Sequence, residues 1–290
     1  MVTRVIIGRA WNSTPGATAS NKNGHMDFLR LKDKWIVVAG VANRRSVAWA
    51  ISRVLTEAGA KVIHVVKDRG VAESTEKLTG GAPVVTCNVE NTDEVTSLGD
   101  RISEHTPEIH GFVHSIAFAN YAPEATAFTD VSKPDFLQAM DISCYSLIGM
   151  AGSLRPLLAP GASVVTISIS TTTMAADNYG YMGPVKAALN STVAFLAKDL
   201  SKTKDIRVNA VGAGPLKTSS SAAIPGYVES YLYAEQVIPR GENLRTEEVA
   251  NVAAFLLSER SSGINAQTVA VDAGMGINYF DTTLIKKVVS

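Results

Sequence analysis

Two tyrosines and a lysine stand close together in the segment 178–186, which reads NYGYMGPVK. A tyrosine hydroxyl can donate a hydrogen bond to an oxygen that gains negative charge, and a nearby ammonium group can lower the pKa of that hydroxyl. Hydride transfer to an activated double bond or carbonyl needs such a donor. The segment therefore predicts a reductase site, with Tyr179 or Tyr181 acting beside Lys186.

Spacing separates the two tyrosines. Tyr179 precedes Lys186 by nearly two helical turns and would share its face, whereas Tyr181 would point about 140° away from Lys186. Pro184 is tolerated only in the first turn of a helix, so the helix is predicted to begin between Tyr181 and Gly183. Tyr179 would then lie before the helix, at the mouth of a cleft, and Tyr181 would be a wall residue.

The elements that must position these residues alternate between strands and helices. Apolar runs predict strands at 35–40, 61–66, 82–89, 109–118, 162–169, 206–214 and 267–274. Helical patterns cover 46–60, 92–105 (capped by Thr92), 133–157, a span ending near 200, and 246–259. This order predicts one doubly wound Rossmann-type α/β domain over residues 27–290, with a seven-stranded parallel sheet that binds ligands beyond its carboxyl edge.

Composition excludes several classes of protein. The 290 residues carry 27 basic and 27 acidic side chains, so the basic surplus of a nucleic-acid binder is absent. No apolar run approaches the roughly 18 residues of a membrane span. Cys87 and Cys144 form no CxxC, which predicts packed thiols, no metal site and a reducing compartment. Residues 1–26 are polar, basic and free of acids, typical of a leader, a transit peptide or an expression artefact. We expect a cytoplasmic protein, or a plastid or mitochondrial one if this segment is a transit peptide.

The first two strand ends predict a dinucleotide site. Small residues at Gly40, Ala42 and Ser46 suit a turn that presents a helix N-terminus to a pyrophosphate, although the full GxGxxG pattern is absent. Lys67 at the tip of the second strand favours the 2′-phosphate of NADPH, whereas Asp68 could instead bind the ribose diol of NADH. Further cations near this point are Arg44, Arg45 and Arg69.

The next two strand ends extend the same site. Asn88 can hold the adenine amino group, with Val89 against the ring face. Small residues after the fourth strand leave room for a ribose. His114 lies within that strand and is interpreted as a packed histidine.

Six ordered segments then carry a family resemblance: GVANRRSVAWAI, GFVHSIAFA, DISCYS, NYGYMGPVK, RVNAVGAGPLKT and VAVDAG. The chain from about Met26 to Tyr279 resembles the enoyl-acyl-carrier-protein reductases of type II fatty-acid synthesis, a divergent branch of the short-chain dehydrogenase/reductases. The resemblance implies NAD(P)H-dependent reduction of the 2,3-trans double bond of acyl thioesters. It also implies that Tyr179 hydrogen-bonds the thioester carbonyl oxygen and that Lys186 holds the cofactor ribose.

The resemblance also implies the remaining contacts. Cofactor contacts are expected at Gly40, Ala42, Ser46, Val47, Lys67, Asn88, Val89, Ser115, Ile116, Ala117, Ile167, Lys186, Pro215, Leu216 and Thr218. Substrate contacts are expected at Ala119, Ile169, Tyr179 and Met182, under a mobile lid at 217–236. The family is commonly tetrameric, and the apolar helix at 136–154 is a plausible interface. Its acidic partner, the acyl carrier protein, could dock on Lys202, Lys204 or Lys217.

Several positions depart from the family pattern. Ile169 stands where many bacterial members carry a further tyrosine, although the mycobacterial long-chain branch has phenylalanine there. Ala117 and Ala273 replace glycines, Asn88 replaces a more usual aspartate, and Pro184 is unusual. Two alternatives therefore stay open: a regulatory NAD(P)-binding homologue without catalysis, and a ketoreductase. Met182 opposes the ketoreductase, because ordinary ketoreductases place their tyrosine at that position.

Overall fold

Seven parallel strands form one sheet in the computed structural model, which describes residues 27–121 and 127–289. The strands are β1 (Trp35–Ala39), β2 (Lys61–Val66), β3 (Val84–Thr86), β4 (Ile109–His114), β5 (Leu158–Ile169), β6 (Arg207–Ala213) and β7 (Thr268–Val271). Their order across the sheet is β3-β2-β1-β4-β5-β6-β7. The strand order therefore reverses between β1 and β4, where a doubly wound sheet opens a ligand crevice at its carboxyl edge.

Helices cover both faces of the sheet. They are α1 (Val47–Glu57), α2 (Arg69–Thr79), α3 (Thr92–Thr96), α4 (Leu98–Ser103), α5 (Lys133–Met140), α6 (Ser146–Leu154), α7 (Met182–Lys204), α8 (Tyr227–Val237), α9 (Thr246–Leu257) and α10 (Thr282–Val289). A π-helical turn at Asp141–Tyr145 joins α5 to α6, so the predicted helix over 133–157 is nearly continuous. No described helix is long and apolar enough to cross a membrane.

Two apolar clusters hold these layers together, one on each face of the sheet. The strands are apolar on both sides because both faces are covered, which is why they read as continuous apolar runs rather than alternating ones. Val37 and Phe112 pack toward α6 and α7, whereas Val38 and Val113 pack toward α1 and α9. The predicted single α/β domain with a seven-stranded parallel sheet is confirmed.

Some predicted elements were wrong in extent. The third and fourth strands end earlier than expected, at Thr86 and His114. The single helix predicted over 92–105 is two short helices broken at Ser97, and its cap is Asn91 rather than Thr92. The Asn91 carboxamide accepts from two backbone N–H groups, which fixes the helix start one residue earlier. Helices α8 and α10 were not predicted, and the predicted extension at 1–26 lies outside the described residues.

Candidate active site

Helix α7 begins at Met182, and the preceding turn carries both tyrosines. The Met182 N–H donates to the Tyr179 carbonyl at 3.3 Å, which places Tyr179 just before the helix. Pro184 sits in the first helical turn, where its missing N–H leaves no hydrogen bond unmade. The predicted late start of this helix is confirmed, and Tyr179 lies at the carboxyl edge of the sheet.

The two tyrosine hydroxyls differ in their partners. Tyr181 is buried at 5% exposure, and its hydroxyl donates to the Asn120 carbonyl at 2.8 Å. Its ring stacks on Tyr121 with the centroids 6.1 Å apart. The Tyr179 hydroxyl makes no hydrogen bond within 27–121 or 127–289. Tyr179 is therefore free to bind a ligand, and Tyr181 has the structural role that its spacing predicted.

The protonation of Tyr179 differs from the expectation. Burial raises the pKa of its hydroxyl above the usual value, and the nearby Tyr121 and Tyr227 hydroxyls raise it further. The expected lowering by Lys186 is not found, since desolvation dominates. Tyr179 is thus a neutral hydrogen-bond donor at physiological pH rather than a partly ionised acid.

Lys186 is enclosed beneath the same edge. Lys186 is only 4% exposed, and its Nζ donates to the Ile167 carbonyl at 2.8 Å. Burial lowers the pKa of this ammonium group to about 8. At neutral pH the group remains mostly charged, with two further N–H donors available for a ligand.

His114 belongs to a buried network of hydrogen bonds near Lys186. Its Nε2 lies 2.8 Å from Ser146 Oγ and its Nδ1 lies 2.9 Å from Thr166 Oγ1. The Ser146 hydroxyl lies 2.6 Å from the Ile142 carbonyl and the Thr166 hydroxyl 3.2 Å from the His114 carbonyl, so each hydroxyl has a carbonyl acceptor besides the ring. Because burial lowers the pKa of the imidazole, the ring is neutral, with one nitrogen donating and the other accepting. His114 is the packed histidine that the sequence indicated.

Two buried histidines make the fold sensitive to acid. Burial lowers the pKa of His114 to about 3 and that of His64 to about 4, from an ordinary 6.5. Below pH 6.5 the two imidazoles bind protons in the unfolded chain but not in the folded chain. The free energy of unfolding therefore falls as the pH drops toward 4. We expect the free energy of unfolding to fall by about 3–4 kcal/mol between pH 7 and pH 5 from these two groups.

Denaturant unfolding at both pH values measures this loss. In His64→Gln the loss should shrink by about half, because the carboxylate contributions cancel in the comparison. An unchanged pH slope in that variant would contradict the assignment to His64.

The turn after β1 has the shape that a pyrophosphate site needs. Gly40 adopts φ +103°, and a Cβ on it would lie 2.1 Å from the Ser115 carbonyl oxygen. Ser46 caps α1, since its Oγ accepts from the Trp49 N–H at 3.3 Å. The N-terminus of α1 thus opens at the switch point between β1 and β4, where its partial positive charge favours an anion.

A cleft of about 460 Å³ continues this edge past β2 and β3. Its lining comprises Lys67, Asp68, Arg69, Val84, Thr86, Asn88 and Glu94. Asp68 is the N-cap of α2, because its carboxylate accepts from the Val71 N–H at 2.9 Å. Lys67, whose side chain is 60% exposed, forms only a weak surface ion pair of 3.5 Å with Glu90. The structure thus leaves Lys67 more available than Asp68 for a ribose substituent.

Eight of the predicted site residues are divided between the two apolar clusters. Met182 belongs to one cluster, against which Val89, Ile116, Ala119 and Tyr179 pack. Leu216 belongs to the other, against which Val47 and Ile167 pack. Ser168, one residue before Ile169 at the end of β5, has a buried hydroxyl without a hydrogen-bond partner in the described chain. A glycine-tight turn, a helix N-terminus, a cleft with Lys67 and Arg69 in its lining and an unsatisfied hydroxyl fit a nicotinamide dinucleotide.

The segment predicted as a lid is tied to the site at three points. Asn43 in the turn after β1 exchanges hydrogen bonds with the Ser219 hydroxyl, at 3.0 and 3.2 Å. The Asn178 carboxamide donates to Ser230 and to two carbonyls before it. Tyr227, the first residue of α8, donates to the Leu216 carbonyl at 2.6 Å. The lid therefore contacts both the turn after β1 and the segment that carries Tyr179.

Sequence reasoning missed four residues of this edge: Asn43, Glu90, Tyr121 and Tyr227. Tyr121 and Tyr227 converge on Tyr179 from the loop after β4 and from the lid. The only signal for them in the sequence was weak: a polar or aromatic residue near a strand end. Lys202 and Lys204 lie elsewhere, about 24–27 Å along α7 from Lys186. Lys204 donates to the carbonyls of Pro156 and Leu158, whereas Lys202 is exposed. Docking of the acyl carrier protein on Lys202, Lys204 or Lys217 stays a prediction.

Known proteins resemble this chain in both sequence and structure. A family model described as Enoyl-(Acyl carrier protein) reductase matches residues 40–276. The NADH-dependent enoyl-acyl-carrier-protein reductase of Nostoc sp. is 37% identical over 257 residues, covering 86% of this chain and 99% of the relative. The NADPH-dependent enzyme of Staphylococcus aureus is 35% identical, covering 85% and 98%. The crystal structure of the Aquifex aeolicus NADH-dependent reductase superposes with a TM-score of 0.83 at 32% identity, covering 87% of this chain and 99% of the other.

Proposed function

Because this chain belongs to the enoyl-acyl-carrier-protein reductase family, we propose that Tyr179 and Lys186 catalyse its reduction of acyl thioesters at the 2,3-trans double bond. The enzyme is an NAD(P)H-dependent oxidoreductase of fatty-acid synthesis, and its substrate is carried by an acyl carrier protein. One observation carries the catalytic assignment: the Tyr181 hydroxyl donates to a backbone carbonyl, whereas the Tyr179 hydroxyl has no hydrogen-bond partner among the described residues.

A nicotinamide dinucleotide held at this edge would supply the hydride. Tyr179 donates a hydrogen bond to the thioester carbonyl oxygen, and this bond strengthens as negative charge develops there. Its raised pKa keeps the proton on the hydroxyl until the oxygen has become basic. Lys186 is fixed by the Ile167 carbonyl, and its remaining N–H groups would hold the ribose hydroxyls of the dinucleotide. Because its pKa is about 8, this contact weakens above that pH.

A crotonyl thioester tests the function directly. The protein should oxidise NADPH or NADH in its presence, followed by loss of the absorbance of the reduced nicotinamide. Activity on acetoacetyl thioesters alone would favour the ketoreductase, and cofactor binding without turnover at any chain length would favour the regulatory homologue. Crotonyl, octenoyl and dodecenoyl thioesters together would define the effect of Ile169 on chain length.

NADPH is the cofactor we favour. Lys67 lies at the tip of β2, with Arg44 and Arg45 exposed on the neighbouring turn. Asp68, the residue that would select NADH, is engaged as the cap of α2. These groups offer positive charge to a 2′-phosphate and no free carboxylate to the ribose diol from the tip of β2.

Lys67→Gln measures this preference. We expect NADPH to bind about tenfold more weakly to the variant, because a charge-assisted contact is lost, whereas NADH affinity changes less than about twofold. Fluorescence titration of both reduced cofactors gives the two dissociation constants. Equal losses for NADH and NADPH would contradict a role at the 2′-phosphate.

A homotetramer is the assembly we propose. Helices α5 and α6, the π-helical turn between them and the neighbouring α7 expose large apolar side chains: Leu137, Tyr145, Ile148 and Phe195. Phe195 is 75% exposed in the single chain, and the π-helical turn that ends at Tyr145 packs on α7. Apolar surface on adjacent helices is typical of a subunit interface. Lys217 remains near the lid as the candidate contact for the acidic acyl carrier protein.

Phe195→Glu should break this assembly. Burying a carboxylate in an apolar interface would raise the dissociation constant between subunits roughly a hundredfold. Sedimentation analysis at micromolar concentration should then show smaller species. Phe28→Glu, at a comparably exposed phenylalanine away from these helices, serves as the control. A tetramer that survives Phe195→Glu would place the interface elsewhere.

A further inference from the structure

Glu90 stands between two partners at the end of the cleft that holds Lys67. One carboxylate oxygen lies 3.5 Å from Lys67 Nζ, and the other accepts a hydrogen bond of 2.8 Å from Gln138 Nε2. Gln138 in turn accepts from the Asn120 carboxamide at 2.8 Å. Glu90 is therefore anchored from α5, whereas Lys67 holds it by a single exposed ion pair.

The pair joins two adjacent strand ends. Lys67 follows β2 directly, and Glu90 follows the short β3 through the turn that contains Asn88. The Glu90 N–H donates to Asn88 Oδ1 at 3.2 Å, which keeps Glu90 beside the residue expected at the adenine ring. The Lys67–Glu90 pair thus lies beside the proposed position of the adenosine ribose.

The other carboxylates on this edge accept hydrogen bonds from nearby groups of the chain. Asp68 caps α2. Glu94 accepts from the Asn88 N–H at 2.8 Å and from Asn91 Nδ2 at 3.1 Å, and so supports the turn itself. Among the carboxylates described around this cleft, Glu90 is the one paired with Lys67.

We propose that Glu90 is a specificity-determining residue, which limits the preference for a 2′-phosphorylated dinucleotide by competing for Lys67. A phosphate group carries nearly two negative charges and would attract the same ammonium group. The exposed ion pair is weak, so Lys67 can exchange one partner for the other. Glu90 keeps its charge after the exchange and repels the phosphate, whereas a ribose diol can donate a hydrogen bond to it.

This inference rests on the proposed use of a dinucleotide at this edge. It predicts that NADH and NADPH are both accepted, with a selectivity set by the balance of Lys67 against Glu90. Removal of the carboxylate should shift that balance toward the phosphorylated form without any contact being added.

Calorimetric binding of adenosine 2′,5′-bisphosphate and adenosine 5′-monophosphate to the full chain tests the proposal. The ratio of the two affinities isolates the 2′-phosphate and requires no turnover. In Glu90→Gln this ratio should rise about five- to tenfold, the effect of one partly exposed charge. In the Lys67→Gln background the same substitution should raise the ratio much less, because the contested ammonium group is gone.

Glu57→Gln is the matched control. Glu57 forms an ion pair of the same 3.5 Å length with Arg53 on α1, so the substitution changes net charge equally. Its ratio should equal that of the unmodified chain. Glu90→Ala provides a second variant that also releases Gln138, and a raised ratio is expected there too.

Two negative results have different meanings. An unchanged ratio in both Glu90 variants, with a lowered ratio in Lys67→Gln, would overturn the role of Glu90 and leave the NADPH assignment intact. An unchanged ratio in Lys67→Gln would overturn the NADPH assignment itself. An equal rise in Glu57→Gln would overturn the inference by showing that net charge alone is responsible.

Discussion

Tyr179→Phe should lower kcat by about a hundred- to a thousandfold, the usual effect of removing one hydrogen-bond donor from a developing oxyanion. The ring, its packing and the start of α7 stay in place. The hydroxyl has no hydrogen-bond partner in the described chain, so its removal leaves no buried group unsatisfied. We therefore expect an unchanged free energy of unfolding and cofactor dissociation constants within about twofold of the original.

Tyr181→Phe is the matched control, since it removes the same atom two residues away. There the loss falls on stability, about 1 kcal/mol, because the Asn120 carbonyl loses its donor at 2.8 Å. Turnover should change only a few-fold. Single-turnover kinetics with a crotonyl thioester and chemical denaturation separate the two effects. The reverse outcome, with turnover lost in Tyr181→Phe and kept in Tyr179→Phe, would overturn the catalytic assignment.

The fold was predictable where the local pattern and the final environment agree. Strands buried on both faces must be apolar throughout, so seven apolar runs were enough to predict the sheet. Pro184 marked the start of α7 because a proline is compatible with few helical positions. The break at Ser97 was less visible, since an amphipathic pattern continues across two short helices.

The site was predictable in outline, because parallel strands bring their carboxyl ends to one edge. Its contacts were not, because they join distant parts of the chain. Asn43 meets Ser219 across 176 positions, and Glu90 meets Gln138 across 48. The pKa of Tyr179 depends on how deeply the ring is buried. No spacing in the sequence contains that information.

Gly40→Ala should have the largest effect on the fold near the cofactor site. A Cβ at this position would lie 2.1 Å from the Ser115 carbonyl oxygen and 2.7 Å from its carbon, so backbone must move. The adjacent bonds hold that backbone firmly: the Ser115 N–H donates to Ala39 at 3.0 Å, and the Gly40 N–H donates to Val65 at 3.0 Å. Separating β1 from β4 at this point would open the switch point itself.

The expected loss for Gly40→Ala is about 3 kcal/mol or more in the free energy of unfolding, together with at least a tenfold loss in cofactor affinity. Gly81→Ala separates the two causes. Gly81 has nearly the same backbone angle, φ +98°, but nothing lies within 4 Å of its added Cβ. It should lose only the conformational part, about 1–2 kcal/mol, and keep its cofactor affinity. Equal losses in the two variants would assign the whole effect to backbone strain and remove the contact with Ser115 as the reason for a glycine at position 40.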